Sequence, residues 1–103
     1  MRVIWLPQAK IQLRKTARYI LREFGQKARN EFMQDVYRIN TLLANNPNMG
    51  PAEPILANRT TKYRSCVVNR LNKIIYFIND DHIEVADFWD CRREPKKLEA
   101  ETI

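Results

Sequence analysis

The 103-residue sequence predicts an α+β fold: an N-terminal strand, an antiparallel helical hairpin, and three further strands that complete a mostly antiparallel four-stranded sheet. Two observations predict it. Apolar residues recur every three or four positions in the first half of the chain, which is the helical period, and the period changes to two in the second half. A chain of this length can bury one hydrophobic core, so residues 1–103 are expected to form a single domain with the hairpin packed on one face of the sheet.

The N-terminal half contains a short strand followed by two helices. Arg2–Trp5 is β-branched and aromatic, and it is followed by Pro7, which is well tolerated in a first helical turn. Gly25 ends the first helix because glycine adopts the left-handed conformation at low cost. The link is so short that the two helices must fold back on each other. Their apolar residues are Leu13, Ala17, Ile20, Leu21 and Phe24, then Ala28, Phe32, Val36, Ile39 and Leu43.

A proline-rich loop over residues 47–58 separates the hairpin from three strands, predicted at 62–68, 73–79 and 83–89. Residues 74–78 are apolar at successive positions, so the middle strand is expected to be central and covered on both faces. Phe88 and Trp89 are expected to finish the last strand with one ring on the core. The core candidates are Trp5, Phe32, Ile75 and Phe77.

The charge balance indicates an anionic partner. Eighteen Lys and Arg against twelve Asp and Glu give a net charge of +6, which attracts polyanions or an acidic protein at long range, although a basic solvated surface is the alternative. No stretch is apolar for long enough to span a membrane, and the N-terminus does not resemble a signal peptide. We therefore expect a cytoplasmic protein, without a membrane partner, in which Cys66 and Cys91 are reduced.

Several kinds of chemistry have no support in the sequence. Two glycines cannot build a phosphate-binding loop. His82 is the only histidine and lies in an acidic turn, so neither a metal site nor a histidine-dependent nucleophile is indicated. No cofactor is expected.

Cations near the strands and the C-terminus are the remaining candidates. Strand alternation places Arg64 on the same sheet face as Cys66, and Lys73 begins the neighbouring strand. Together with the arginines at 92 and 93 these cations could converge on one face or edge, where they would clamp a phosphate or stabilise a phosphoryl transition state. Equally, they could simply flank the strands and pair with nearby carboxylates, namely Glu84, Asp87, Asp90 and Glu94.

The order of motifs in the second half is similar to that of a known family. These motifs are Tyr63 with Arg64, Tyr76, Asp80 with Asp81, and Arg92-Arg93-Glu94-Pro95 with Leu98. Over nearly its whole length the chain resembles the RelE/ParE family of bacterial type II toxin–antitoxin toxins. The resemblance implies a growth-inhibiting toxin of the plasmid-stabilisation type. It also implies a cognate antitoxin whose extended, partly helical segment covers the basic surface.

The family has two mechanisms. One branch cleaves mRNA in the ribosomal A site with basic residues and a C-terminal Tyr or His, and the other poisons DNA gyrase. By the resemblance, a nuclease would use Arg64, Lys73, Arg93 and Glu99. Lys73 stands where that branch usually has an arginine, Asp90 where a histidine is often found, and neither Tyr nor His follows Trp89.

The resemblance therefore favours a toxin that acts on DNA gyrase. The alternatives are a ribosome-dependent mRNA endonuclease and a non-toxic basic binding module. The residues predicted to contact the target or the antitoxin are Lys62, Arg64, Arg92, Arg93 and Lys96. Arg93→Ala is predicted to reduce toxicity while leaving the fold intact.

Overall fold

The computed structural model describes residues 1–91 and 95–102, the side chains of residues 95–97 excepted. The elements in chain order are β1 (Arg2–Trp5), α1 (Pro7–Phe24), α2 (Gln26–Asn45), a short 3-10 helix (Pro54–Leu56), β2 (Arg64–Val67), β3 (Asn72–Asn79), β4 (His82–Asp90) and α3 (Pro95–Glu101). No helix in the described part of the chain is both long and apolar enough to cross a bilayer.

The helical hairpin forms as predicted. Pro7 is the first residue of α1, and Gly25 is the only residue between the two helices. The φ angle of Gly25 is 91°, a conformation that side chains disfavour, and its amide donates to the Leu21 carbonyl at 3.0 Å. This single-residue link forces α2 to run back along α1.

The sheet order is β1-β4-β3-β2. β3 pairs antiparallel with both β2 and β4, whereas β1 pairs parallel with β4, so the sheet is mostly antiparallel as predicted. β1 and β2 therefore lie at the two edges. His82 begins β4 rather than lying in the preceding turn.

Hydrophobic residues are buried on both faces of the sheet. The helix-side core lies under the hairpin and contains Phe32, Val36, Ile39, Leu43, Ile74, Tyr76, Val85 and Phe88 among others. The outer core lies on the opposite face and consists of Leu56, Tyr63, Ile75, Trp89 and Leu98. Adjacent residues of β3 thus enter different cores, which confirms that this strand is central and covered on both faces.

The four core candidates occupy both cores. Phe32 and Ile75 are buried, and Trp5 and Phe77 are partly buried against the helix-side core and the outer core, respectively. The expectation that one of two adjacent rings in β4 would pack on the core was too narrow. Both Phe88 and Trp89 are buried, one in each core, because neighbouring strand residues point to opposite faces.

The third helix was not predicted. α3 begins at Pro95 and inserts Leu98 into the outer core. Arg59 holds its C-terminal end by donating to the Thr102 carbonyl at 2.5 Å and to the Glu99 carbonyl. A cation at this end also complements the helix dipole, so Arg59 fixes α3 against the sheet.

Candidate functional site

A groove of about 580 Å³ runs along the free edge of β1. All four residues of β1 line it. Among the described strands β1 pairs with β4 alone, so the other side of its backbone faces the groove. The opposite wall is formed by the helical hairpin, with Leu13 of α1 and Met33 and Val36 of α2. An open strand edge beside apolar side chains is the geometry that accepts an added strand or an amphipathic segment.

The rim of the groove is basic. Arg2, Lys10 and Arg14 line it, and none of the described residues that line it is acidic. Tyr37 is 74% exposed at the α2 side. The indole Nε1 of Trp5 donates to Oδ1 of Asn40 at 2.8 Å, which ties β1 to α2 and fixes the shape of the groove.

Sequence reasoning did not select the groove residues, although two signals were available. Tyr37 falls outside the apolar stripe of α2, so its ring had no core to enter. Lys10 and Arg14 are four positions apart in the first helix, so they lie on the same helix face. What could not be read from the sequence is that β1 lies at a sheet edge beside them.

Arg64 anchors a loop at the other edge of the sheet. It is the first residue of β2, and its Nη1 donates to the carbonyls of Gly50 at 2.7 Å and Asn48 at 3.4 Å. Its register partner in β3 is Tyr76, a residue of the helix-side core. Arg64 therefore lies on the helix side of the sheet.

Lys73 lies on the opposite face. Its register partner in β4 is Trp89, a residue of the outer core. Lys73 Nζ lies 2.8 Å and 2.9 Å from the two carboxylate oxygens of Glu53, a residue only 2% exposed. Of the two alternatives that the sequence leaves open, convergence of Arg64 and Lys73 on one sheet face does not occur. Lys73 instead pairs with a carboxylate, as the other alternative expected, although Glu53 was not among the candidates.

The remaining predicted site residues are dispersed or lie outside the described residues. Lys62 is exposed just before β2, and Glu99 is exposed on α3. Arg92 and Arg93 lie outside the described residues, as does the side chain of Lys96. The functional roles of all five stay predictions.

The loop beside Arg64 is also held by a buried phenol. The Tyr76 hydroxyl donates to the Pro47 carbonyl at 2.8 Å and accepts from the Gly50 amide at 3.0 Å. Burial raises the pKa of Tyr76 to about 12. The phenol therefore stays protonated at neutral pH and acts as a structural hydrogen-bonding group rather than a proton-transfer group.

The two cysteines are free thiols on different parts of the molecule. Cys66 is buried in the helix-side core, and Cys91 is exposed after β4. Burial raises the pKa of the Cys66 thiol, and partial desolvation of the sulfur raises that of Cys91, so neither is a thiolate at neutral pH. Among residues 1–91 and 95–102, no group of three or more His, Cys, Asp or Glu side chains is arranged to hold a metal ion.

Comparison with known families decides the assignment. Residues 3–95 match the model of the ParE toxin of the type II toxin–antitoxin system parDE. The chain belongs to the ParE toxin family. This confirms the RelE/ParE resemblance, which covers nearly the whole chain and rests above all on the motif order of its second half.

Solved structures share the fold of this ParE-family chain. A chain of the chromosomal ParDE toxin–antitoxin system from P. aeruginosa superposes with a TM-score of 0.71 at 15% identity, covering 87% of this chain and 95% of that one. The YoeB dimer from Staphylococcus aureus matches with a TM-score of 0.57 at 19% identity, covering 84% and 92%. The YoeB–YefM complex from the same organism matches with a TM-score of 0.54 at 18% identity, covering 85% and 93%. No curated protein matches the chain significantly by sequence.

Proposed function

We propose that this ParE-family chain inhibits growth by acting on DNA gyrase and that a cognate antitoxin neutralises it by occupying the β1 groove. The choice of target rests on the ion pair between Lys73 and the buried carboxylate of Glu53. A nuclease mechanism would depend on Lys73, and in this structure Lys73 is already paired with Glu53.

A metal-independent ribonuclease needs a base, a cation for the developing charge and an acid for the leaving oxygen, all within reach of one phosphate. Here Arg64 and Lys73 lie on opposite sheet faces, and the charge of Lys73 is already balanced. The Glu53 carboxylate is too buried to meet a substrate. These features weigh against the nuclease alternative.

The antitoxin proposal rests on charge and shape. The groove offers one open strand edge, an apolar wall and three cations on its rim. An acidic segment with alternating apolar residues would pair with the β1 backbone and place its carboxylates near Arg2, Lys10 and Arg14. The ParDE and YoeB–YefM structures are toxin–antitoxin systems by their descriptions, which supports a partner of this kind.

Expression of the chain without its antitoxin tests the choice of target. We expect growth arrest, an SOS response and trapped gyrase–DNA cleavage complexes, with mRNA left intact. Codon-positioned breaks in translated mRNA, without trapped gyrase, would instead establish the nuclease alternative.

Substitution of Tyr37 tests the groove. Tyr37→Ser is expected to weaken antitoxin binding at least about tenfold, because a large exposed ring at an interface contributes disproportionately to affinity. The measurement is titration calorimetry with the purified antitoxin. Arg38→Gln, a neighbouring exposed change that does not line the groove, is the control and should leave the affinity unchanged.

A further inference from the structure

The tip of the helical hairpin, residues 18–29, extends beyond the core apart from Ile20, whose side chain packs against it. Ala17 and Ile20 pack against the helix-side core from α1, and Phe32 is the first residue of α2 to belong to it. No residue between Ile20 and Phe32 belongs to that core. The apolar stripe of α1 nevertheless continues to Phe24, which is 68% exposed. The tip therefore presents apolar surface that the chain itself does not cover.

The exposed side chains at the tip contact one another. The rings of Tyr19 and Phe24 meet edge to face, with centroids 6.3 Å apart and planes at 77°. The guanidinium carbon of Arg22 lies 5.7 Å from the Tyr19 ring centroid, within cation–π range. Leu21 and Tyr19 are each close to half exposed. The cluster is thus preformed, which lowers the entropy cost of docking.

The charge at the tip is strongly positive. Residues 18–29 carry four cations, Arg18, Arg22, Lys27 and Arg29, against one carboxylate, Glu23. Glu23 already pairs with Arg22 at 3.2 Å. None of the residues at the tip lines the β1 groove, so a segment in the groove leaves these side chains free.

We propose that the hairpin tip is the surface by which this toxin docks onto an acidic face of its protein target. The inference rests on the proposed function for the existence of a target, but not on the identity of that target. Four cations select an acidic partner. Tyr19, Leu21 and Phe24 favour a protein over duplex DNA, because the bases of a duplex are stacked on one another and its surface offers exposed rings little to pack against. Tyr and Arg, in contrast, are enriched at protein interfaces.

A matched pair of variants separates docking on the target from binding of the antitoxin. The double variant Tyr19→Ser/Phe24→Ser alters the tip, and Tyr37→Ser alters the groove at a comparable exposed ring. All proteins are compared at equal intracellular levels, after circular dichroism shows thermal midpoints within about 3 °C of wild type. The readouts are growth arrest without antitoxin and affinity for the purified antitoxin.

The tip variant is expected to need at least about tenfold more protein for growth arrest while keeping its antitoxin affinity within about twofold. Tyr37→Ser is expected to show the reverse pattern. Growth arrest by the tip variant at the wild-type dose would overturn the proposal whatever the target is. Loss of antitoxin affinity together with toxicity would also overturn it, because the tip would then be part of the antitoxin interface.

Direct binding measurements test the identity of the target separately from the docking role of the hairpin tip. Purified DNA gyrase and a 20-base-pair DNA duplex are each titrated with wild type and with Arg22→Glu/Lys27→Glu at two salt concentrations. If Arg22→Glu/Lys27→Glu loses gyrase binding, both the gyrase proposal and the docking proposal are supported. If it loses only duplex binding, the protein-docking proposal is overturned. If wild type does not bind gyrase but Tyr19→Ser/Phe24→Ser still loses toxicity, the gyrase proposal fails and the tip docks onto another protein.

Discussion

Tyr76 shows how one buried hydroxyl can hold a loop to the sheet. Its donation to Pro47 and acceptance from Gly50 satisfy two backbone groups at once. A Cβ on Gly50 would lie 2.5 Å from the Ser65 carbonyl oxygen and 2.8 Å from the Tyr76 hydroxyl, so only glycine allows this approach. The loop that carries the Arg64 contacts is therefore fixed by residues far apart in the sequence.

Tyr76→Phe is expected to lower the free energy of unfolding by about 1–3 kcal/mol, because the amide of Gly50 and the carbonyl of Pro47 lose their partner. Tyr37→Phe is the matched control, since its ring is largely exposed, and should change stability by less than about 0.5 kcal/mol. Urea titration of the purified proteins measures both. Equal stabilities of the two variants would contradict the anchoring role.

The same hydroxyl predicts a pH dependence. The pKa of Tyr76 is raised from its ordinary value of 10 to about 12, mainly by burial. Because the folded state holds this proton more tightly than the unfolded state, the stabilisation is fully present below pH 10 and is lost as pH rises toward 12. The stability difference between wild type and Tyr76→Phe should therefore shrink over that window.

Variants of Lys73 and Glu53 can show whether this ion pair has a structural or a catalytic role. Lys73→Met leaves a buried carboxylate without its cation, and we expect a loss of about 2 kcal/mol, less than for a fully buried pair because Lys73 is 18% exposed. Lys73→Met/Glu53→Leu should recover most of it, since removing both charges also removes the desolvation cost. Urea titrations give the stabilities.

Toxicity of the double variant is the decisive control for that pair. If the role of the pair is structural, the double variant remains toxic, because neither residue takes part in chemistry. A stable but non-toxic double variant would instead favour the nuclease alternative. The sequence did not predict this pair, because 20 residues and a loop separate its members and no local spacing connects them.

Among the secondary-structure elements, the periodicity of apolar residues predicted the helical hairpin and the strands but not α3. α3 begins at Pro95, since proline is well suited to the first turn of a helix, but a proline alone does not predict that a helix follows. A seven-residue helix with one buried side chain, Leu98, shows no periodicity to recognise. The strand boundaries also differ: β2 begins at Arg64 rather than at 62, and Arg64 itself forms a bridge with Ala52 of the preceding loop.

Arg59→Ala tests how α3 is held. The substitution removes two charge-assisted hydrogen bonds to its last carbonyls, worth roughly 1.5 kcal/mol, so the Thr102 amide should exchange about tenfold faster. Amide hydrogen exchange measured by NMR checks this. Arg38→Ala on the exposed face of α2 is the control, and unchanged exchange at Thr102 in both variants would contradict the anchoring by Arg59.

At the scale of the whole molecule, the hairpin serves two surfaces. One side closes the β1 groove with Leu13 and Tyr37, and the tip carries Tyr19 and Phe24 beyond the core. The period of α1 predicted its buried stripe but not where the sheet beneath it stops. The groove could not be predicted from the sequence for a related reason. The pairing of β1 with β4 joins residues about 80 positions apart, and no local pattern encodes such a contact.

A reconstituted supercoiling reaction shows directly whether the chain acts on DNA gyrase. Purified gyrase, relaxed plasmid and ATP are incubated with the antitoxin-free chain, and the products are resolved after detergent and protease treatment. Action on gyrase predicts lost supercoiling and linear DNA that accumulates with dose and disappears when antitoxin is added first. Undiminished supercoiling at a dose that stops translation in a ribosome-containing extract, with cleaved mRNA, would contradict it.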